Sequence, residues 1–518
     1  MRPACPRSLR TRYVTANQFS RQKFVRVEAT LIASGTHALQ SVFMNNAWEI
    51  IDFLEVMNGQ LHISGVSAVE LAAQHGTPLF VFSEERIRRN IGRLKLVENA
   101  TDCHLKICYA AKANSNMAIL RTIKEAGSDI EVNSGGELWK ALKIGFRPEQ
   151  IIFNGTSKEV WEIENAVNAG IYAIQVDSLY ELSLIEETAR SLEKLASVSL
   201  RLVPEIETNT HSGLQTALLT SKFGMMPVEA LSAFRQYKNS EFLNLCGIHL
   251  HIGSQNPNAA PYAEAFEMLF ENLVEIYNET GIKLSHINLG GGFPVNYLRD
   301  STMEPHFPEA QREMFTADFE PADAIRTAWN AVEKAAELAN AAHLLENLTL
   351  LLEPGRSIIS DAGICLTTIR NKKQRPVTQP PTTDNRQPAT DNWLLTDAGF
   401  NILLSMETYK WYYHLISAER PDEPANFPYK LAGPLCDGGD VYFDIEGQNR
   451  LPDHRLLPEN VQPGEVLALL NCGAYTLAQA SQYNGRFLPA MVLIRGNGET
   501  ELIRKRDVFE DLIPNDIW

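Results

Sequence analysis

Four short stretches set reactive side chains at the ends of apolar runs. In "KICYAAKAN" (106–114) the run Ile107–Ala111 leads directly into Lys112. An ammonium at the mouth of a core strand is poorly hydrated; desolvation lowers a lysine pKa and makes the amine a nucleophile. The commonest use of such an amine is covalent capture of an aldehyde, above all pyridoxal phosphate (PLP). "HLHIGSQ" (249–255) supplies an imidazole, His251, and a hydroxyl, Ser254. "NLGGGFP" (288–294) supplies Gly290, Gly291 and Gly292, whose bare backbone can fold into a nest of N–H groups for a phosphate. "LLEPGRS" (351–357) ends a strand on Glu353 and places Arg356 three residues on. Singly these read as a snorkelling lysine, a structural histidine, a tight turn and a surface ion pair. Together they supply the anchor, stacking ring, phosphate nest and carboxylate of a PLP site.

Elements must bring these residues together. From about residue 105 to 353 short β-type runs alternate with amphipathic segments. The strands expected are Lys106–Ala110, Asp129–Val132, Ile151–Phe153, Ala173–Val176, Val198–Val203, Gly247–His251, His286–Leu289 and Thr349–Glu353. Eight strands with helices between them predict a (β/α)8 TIM-like barrel of the α/β class. Lys112, Ser134-Gly135-Gly136, Asn154, Asp177, His251, Gly290–Gly292 and Glu353 all fall at or just after strand C-termini, the rim where barrel active sites lie. Residues 371–392, rich in Pro, Thr, Asn and Gln, read as a mobile surface loop. Strand-like runs at Trp393–Thr396, Asp440–Phe443, Glu465–Leu470 and Ala490–Ile494 predict a mostly β C-terminal domain. The expected division is a tail 1–45, a segment 46–83 pairing with the β domain, a barrel 84–353 and a β domain 354–518.

The chain of 518 residues has 44% apolar and 21% charged side chains, the balance of a soluble globular protein. A net charge of −16 argues against nucleic acid or an anionic membrane as partner, and no run reaches the length of a membrane span. The seven cysteines are scattered, without a CxxC or metal-like cluster, which points to a reducing cytoplasm. Seven Arg or Lys precede the first acidic residue, Glu28, but no unbroken apolar core accompanies them. This stretch is expected to be a disordered tail, or to precede a true start at Met44 or Met57.

The sequence resembles the fold-type III PLP decarboxylases, the group holding diaminopimelate, ornithine and arginine decarboxylases, and is most similar to the diaminopimelate branch. The likeness rests on Tyr109-Ala-Ala-Lys-Ala-Asn114, Ser134-Gly-Gly-Glu-Leu138, Ser221-Lys-Phe-Gly224, His249-Leu-His-Ile-Gly-Ser254, Gly290-Gly-Gly-Phe-Pro294, Glu353-Pro-Gly-Arg356, Gly433-Pro-Leu-Cys-Asp-Gly-Gly-Asp440, Gly473-Ala-Tyr475 and Tyr483-Asn-Gly485. These follow one another in family order. The resemblance implies that Lys112 holds PLP covalently, that Glu353 faces the pyridine nitrogen and that His251 stacks on the ring. It implies that Arg201, Ser254, Gly290–Gly292, Arg356 and Tyr475 surround the phosphate, the ring or the far end of the substrate. Cys436 would reprotonate Cα, reaching the site from a second subunit, so a homodimer with shared active sites is implied. Asp397, Tyr409 and Asp437 would complete the substrate pocket.

Three departures bear on the substrate. Diaminopimelate decarboxylases usually read Asp-Val-Val before SGGEL; this chain has Glu131-Val132-Asn133. Ser405 stands where that branch carries the Arg that clamps the distal carboxylate. Asp437 follows Cys436 where diaminopimelate enzymes have Glu. Loss of a bidentate clamp predicts a substrate other than meso-diaminopimelate: another diamino acid, or a citrate/amino-acid conjugate of a siderophore or other secondary pathway. The alternatives are meso-diaminopimelate decarboxylation in lysine biosynthesis, a PLP-dependent racemase and a non-catalytic PLP-binding homologue.

Overall fold

A computed structural model describes residues 47–518, apart from 102, 207–214, 216, 217, 219, 300–302, 318, 377–389 and 518. The tail expected over 1–45 lies outside the described residues. Eight parallel strands close into a barrel: β1 His104–Ala110, β2 Asp129–Val132, β3 Ile151–Phe153, β4 Ala173–Val176, β5 Ala196–Arg201, β6 Leu243–His249, β7 His286–Asn288 and β8 Thr349–Leu352. The ring closes where Leu352 of β8 pairs with Ile107 of β1. A barrel followed by a mostly β domain is the fold class expected from the sequence.

Helices between the strands are set by local signals. Ser134 and Ser178 cap Gly135–Ile144 and Leu179–Ser191, each hydroxyl accepting the N–H of a glutamate three residues on, at 3.3 and 3.2 Å. Gly145 and Gly170 end their helices at φ 85° and 66°, a region glycine reaches without strain. The helix Pro321–Leu338 buries Ile325, Ala328, Trp329, Val332 and Ala336, one face at helical spacing, and packs on the helices Glu84–Thr101 and Ala260–Thr280. Burying side chains such as Ile325 and Trp329 contributes about 1.5–3 kcal/mol each before chain entropy is counted.

The C-terminal sheet is built round one long strand, Gly363–Pro376. It pairs antiparallel with Leu79–Ser83, Thr390–Thr396 and Val466–Leu469. Leu79–Ser83 also pairs parallel with Ala490–Ile494, so a strand from before the barrel is built into the sheet that follows it. Two sequence expectations need correction here. Residues 371–376 and 390–392, read as loop, form the end of a hairpin in which Lys373 faces Trp393 and Pro376 faces Thr390. Polar composition misled because this ribbon is solvent-facing on both sides, with Arg370, Asn371 and Lys372–Pro376 exposed or half-buried. Asp440–Phe443 is not a strand; only an isolated bridge joins Val441 to Ala432. Asp440 instead turns its buried carboxylate inward and accepts the N–H groups of Phe400 and Leu435 at 2.9 and 2.8 Å, shaping the loop that carries Cys436.

Two hydrogen bonds stitch the domains at the barrel mouth. Tyr475 N donates to Ala113 O at 2.9 Å, and Asn114 Nδ2 donates to Gly473 O at 3.3 Å. Gly473 packs so closely that a Cβ there would lie 1.8 Å from Ile359 O.

Candidate active site

A cavity of about 340 Å³ opens at the C-terminal ends of the strands. Alternation along each strand explains its lining: residues two apart point to the same side, so strand ends deliver inward-facing groups in turn. Lys112, Arg201, His251, Ser254, Glu353, Arg356, Tyr409 and Tyr475 all line it. Asn133, Asn154, Phe223, His249, Ser405 and Gln479 join them.

Lys112 stands on the single turn Ala111–Ala113 just beyond β1, its side chain 42% exposed because it reaches into the cavity. Nζ lies 3.5 Å from both Glu131 Oε1 and Asn133 Oδ1. This overturns the expectation that desolvation lowers its pKa. Burial acts that way, but Glu131, Tyr475 and Glu353 outweigh it and the net shift is upward. The free amine is therefore held protonated by a carboxylate that the motif reading assigned no role.

Glu353, one residue beyond β8, is almost wholly enclosed. Its Oε1 accepts Asn288 Nδ2 at 2.7 Å and Asn154 Nδ2 at 2.9 Å, and its Oε2 lies 3.5 Å from His249 Nε2. Burial alone would raise its pKa; the contact with His249, then the Lys112 charge, holds it well below the usual carboxylate range. Asn154 Nδ2 also donates to Glu131 Oε1 at 2.9 Å, so one amide bridges both acids. Burial pushes Glu131 up to about 7, with the Glu353 charge adding to the rise against the pull of Lys112. The pair separates into one carboxylate kept ionised and one that takes a proton readily.

His251 follows β6 and accepts the Gly291 N–H on Nδ1 at 3.1 Å, which leaves its proton on Nε2 when neutral. Burial, then Lys112 and Arg201, keeps it neutral, as a ring that stacks should be. The triple glycine is required by packing. A Cβ on Gly290 would lie 2.6 Å from His251 Nδ1, on Gly291 2.4 Å from Glu353 O, and on Gly292 2.6 Å from Gly253 O. The nest is narrower than the sequence implied: Gly290 N donates to Asn288 Oδ1 at 2.9 Å and Gly291 N to His251, which leaves the amide of Gly292. Arg356 donates to Tyr297 OH at 2.8 Å and Ser254 Oγ at 3.3 Å and lies over Trp411 at 4.4 Å and Tyr475 at 4.9 Å. Arg201 lies 3.8 Å from Asp177 and 4.2 Å over the ring of Phe223.

Six expected site residues do not line this cavity: Gly290–Gly292, which pack against His251, Glu353 and Gly253, and Asp397, Cys436 and Asp437. Asp397 has both oxygens engaged elsewhere: Oδ1 by Thr367 and the Thr368 N–H, Oδ2 by Thr77 and Arg370. It ties the β sheet together instead of meeting a substrate. Cys436 is exposed, its N–H bonded to Asn484 Oδ1 at 2.7 Å, and Asp437 accepts Tyr483 OH at 3.2 Å on the same surface loop. Among the residues no motif assigned, Glu131 and Asn133 had a usable signal: one lies in β2 and the other just past its end, two apart and next to a lysine strand end, and so they face the same interior.

A buried ionised acid, a cavity-facing amine, two arginines and a glycine bend that tolerates no side chain form a donor set that fits PLP. Among the described residues no group of three His, Cys, Asp or Glu could hold a metal. No described helix is long and apolar enough to cross a membrane.

Comparison with known proteins agrees with this chemistry. Residues 86–360 match the family described as pyridoxal-dependent decarboxylase, pyridoxal binding domain. The diaminopimelate decarboxylase of Methanocaldococcus jannaschii is 35% identical over 473 residues, 90% of this chain and 97% of the relative. That of Aquifex aeolicus is 34% identical over 464 residues, 89% of this chain and 96% of the relative. The crystal structure of the M. jannaschii enzyme in complex with L-lysine superposes with a TM-score of 0.76 at 33% identity, covering 90% of this chain and 98% of that one. The chain belongs to the pyridoxal-dependent decarboxylases of the ornithine, arginine and diaminopimelate group, and is a PLP-dependent carboxy-lyase.

Proposed function

We propose that this enzyme removes the α-carboxylate of an amino acid other than meso-diaminopimelate, most simply another diamino acid or a citrate/amino-acid conjugate of a siderophore or secondary pathway. The observation that carries this reading is the neutral outer wall of the cavity. Ser405, Tyr409 and Gln479 line it, and by the order of motifs in the sequence Ser405 falls where the resemblance to the diaminopimelate branch implies a carboxylate-clamping Arg. A guanidinium fork binds a carboxylate bidentately; a hydroxyl offers a single donor.

PLP, when bound, supplies a sink for the electron pair left on Cα as CO2 departs. Lys112 would be its covalent anchor, and Glu131 and Asn133 accept the Nζ protons when the amine is free. Glu353, held ionised, would keep the ring nitrogen protonated. His251 would cover the ring, and Arg201, Ser254, Gly292, Arg356 and Tyr475 would surround the phosphate, the ring or the far end of the substrate. Cys436 gives the proton to Cα at the cavity of the partner subunit in a cytoplasmic homodimer with shared active sites. Its exposure on a loop outside its own chain's cavity supports that assignment.

A second reading, meso-diaminopimelate decarboxylation, is favoured by relatives of that name at 31–35% identity over most of the chain. CO2 release from a panel of diamino acids, meso-diaminopimelate and citryl-amino acids separates the two. Turnover of meso-diaminopimelate far above every other member sinks the first reading. Release from none of them, with PLP bound, removes both. Cys436→Ala is expected to retain CO2 release while diverting product toward oxidative side reactions, as read by product analysis.

A further inference from the structure

We propose that a second cavity, walled by Arg370, Arg486 and Arg506 in the C-terminal domain, binds a small multiply charged oxyanion, a polycarboxylate or a phosphate. The cavity has a volume of about 700 Å³ and shares no lining residue with the one holding Lys112. Its wall carries three guanidiniums and one carboxylate, Asp397.

That carboxylate is already saturated. Asp397 accepts hydrogen bonds from Thr77, Thr367, the Thr368 N–H and two nitrogens of Arg370. Arg506 donates only to backbone, to Pro78 O at 2.7 Å and His75 O at 3.4 Å, and Arg486 only to Pro434 O at 2.7 Å. Among the described residues neither has a carboxylate oxygen within salt-bridge distance. Arg506 is half-buried, and its pKa falls through burial and the nearby Arg370 charge despite Asp397. A chain of net charge −16 has no shortage of acids to place here. Arg370 is paired with Asp397, and Asp440 acts on Arg486 from beyond contact distance, so the groups left for an anion are the N–H edges of Arg486 and Arg506 that backbone oxygens do not occupy. The planar fork of each guanidinium matches a carboxylate or phosphate edge. Arg486 links the cavity to Pro434, two residues before Cys436, so occupancy bears on the loop that carries the thiol.

The test uses PLP-saturated holoenzyme, so that phosphate cannot compete at the cofactor site. Melting temperature and calorimetric titration are followed with potassium phosphate and with potassium citrate, against potassium chloride at equal ionic strength. At least one oxyanion is expected to bind saturably and raise the melting temperature beyond chloride. Citrate alone assigns a polycarboxylate site, phosphate alone a phosphate site, and either supports the proposal. Arg486→Gln, on an exposed side chain that leaves the packing intact, should weaken binding at least about tenfold, the loss of one charge-assisted contact. Arg506→Gln should add to it, with Arg506→Lys partly restoring affinity. The proposal is overturned if neither anion exceeds chloride, if affinity is unchanged in Arg486→Gln, or if Arg486→Gln changes only the oligomeric state and no anion binds the wild type.

Discussion

The barrel rim and the wall supplied by the C-terminal domain meet across one cavity, yet they are built from different chemistry. Lys112, Arg201, Glu353 and Arg356, all at strand ends or just beyond, carry its formal charges, and each is fixed by at least one neighbour. Ser405, Tyr409, Tyr475 and Gln479, from beyond residue 400, carry none. Charged, enclosed groups suit a part of the reaction that does not vary, the grip on the coenzyme. Neutral side chains would suit a substrate's outer end read by shape and by single hydrogen bonds, without rebuilding the electrostatics beneath.

The strongest way to break this contrast is at the rim. Lys112→Ala should abolish CO2 release together with the absorbance of the lysine-bound coenzyme, while the fold survives; turnover with coenzyme bound would remove the rim's central member. Glu353→Gln keeps the shape and the asparagine contacts but removes the ionised group. A loss of about 10²- to 10³-fold in kcat is expected, as for other fixed electrostatic partners of a reacting centre, and steady-state kinetics on PLP-loaded protein read it. On the opposite wall, Ser405→Arg should change preference instead of catalysis. Its kcat/KM for meso-diaminopimelate should rise by about tenfold or more, the worth of one charge-assisted pair. An unchanged ratio between substrates would mean that specificity is set elsewhere.

The smallest effect is on stability. Glu131 keeps its proton to about 7 in the fold, against an ordinary 4.5. A carboxyl with a raised pKa contributes stability fully below its unfolded value, and that contribution is lost as pH rises through the folded one. Glu353, shifted downward, behaves oppositely: its contribution is present above the ordinary range and is lost as pH falls. Glu131→Gln stays neutral at every pH. Its melting temperature should therefore gain on the wild type between about pH 5 and about pH 8, and a constant difference across that window would show that Glu131 does not titrate there.

Much of the rim was legible in sequence because it depends on local rules. Asp129–Val132, Ile151–Phe153 and Ala173–Val176 have the bounds expected from the sequence, and the residues just after them fall at the mouth. What depended on distant partners was not legible. The roles of Asp397 and Thr77 are set by a contact 320 positions apart in the chain. The proton affinity of Lys112 follows from acids on two other strands, so a rule about burial gave the wrong sign. The ribbon around 371–376 and 390–392 has the composition of a loop and is ordered by backbone pairing, to which composition is blind.

The bonds from Tyr475 to Ala113 and from Asn114 to Gly473 have a mechanical consequence. They fasten the tyrosine-bearing strap to the two residues that directly follow the reactive amine. If the two halves of this protomer rocked apart to admit a guest, anchor and strap would be pulled out of alignment together. Entry and exit are better served by the existing mouth, with rearrangement confined to the side chains round its lip.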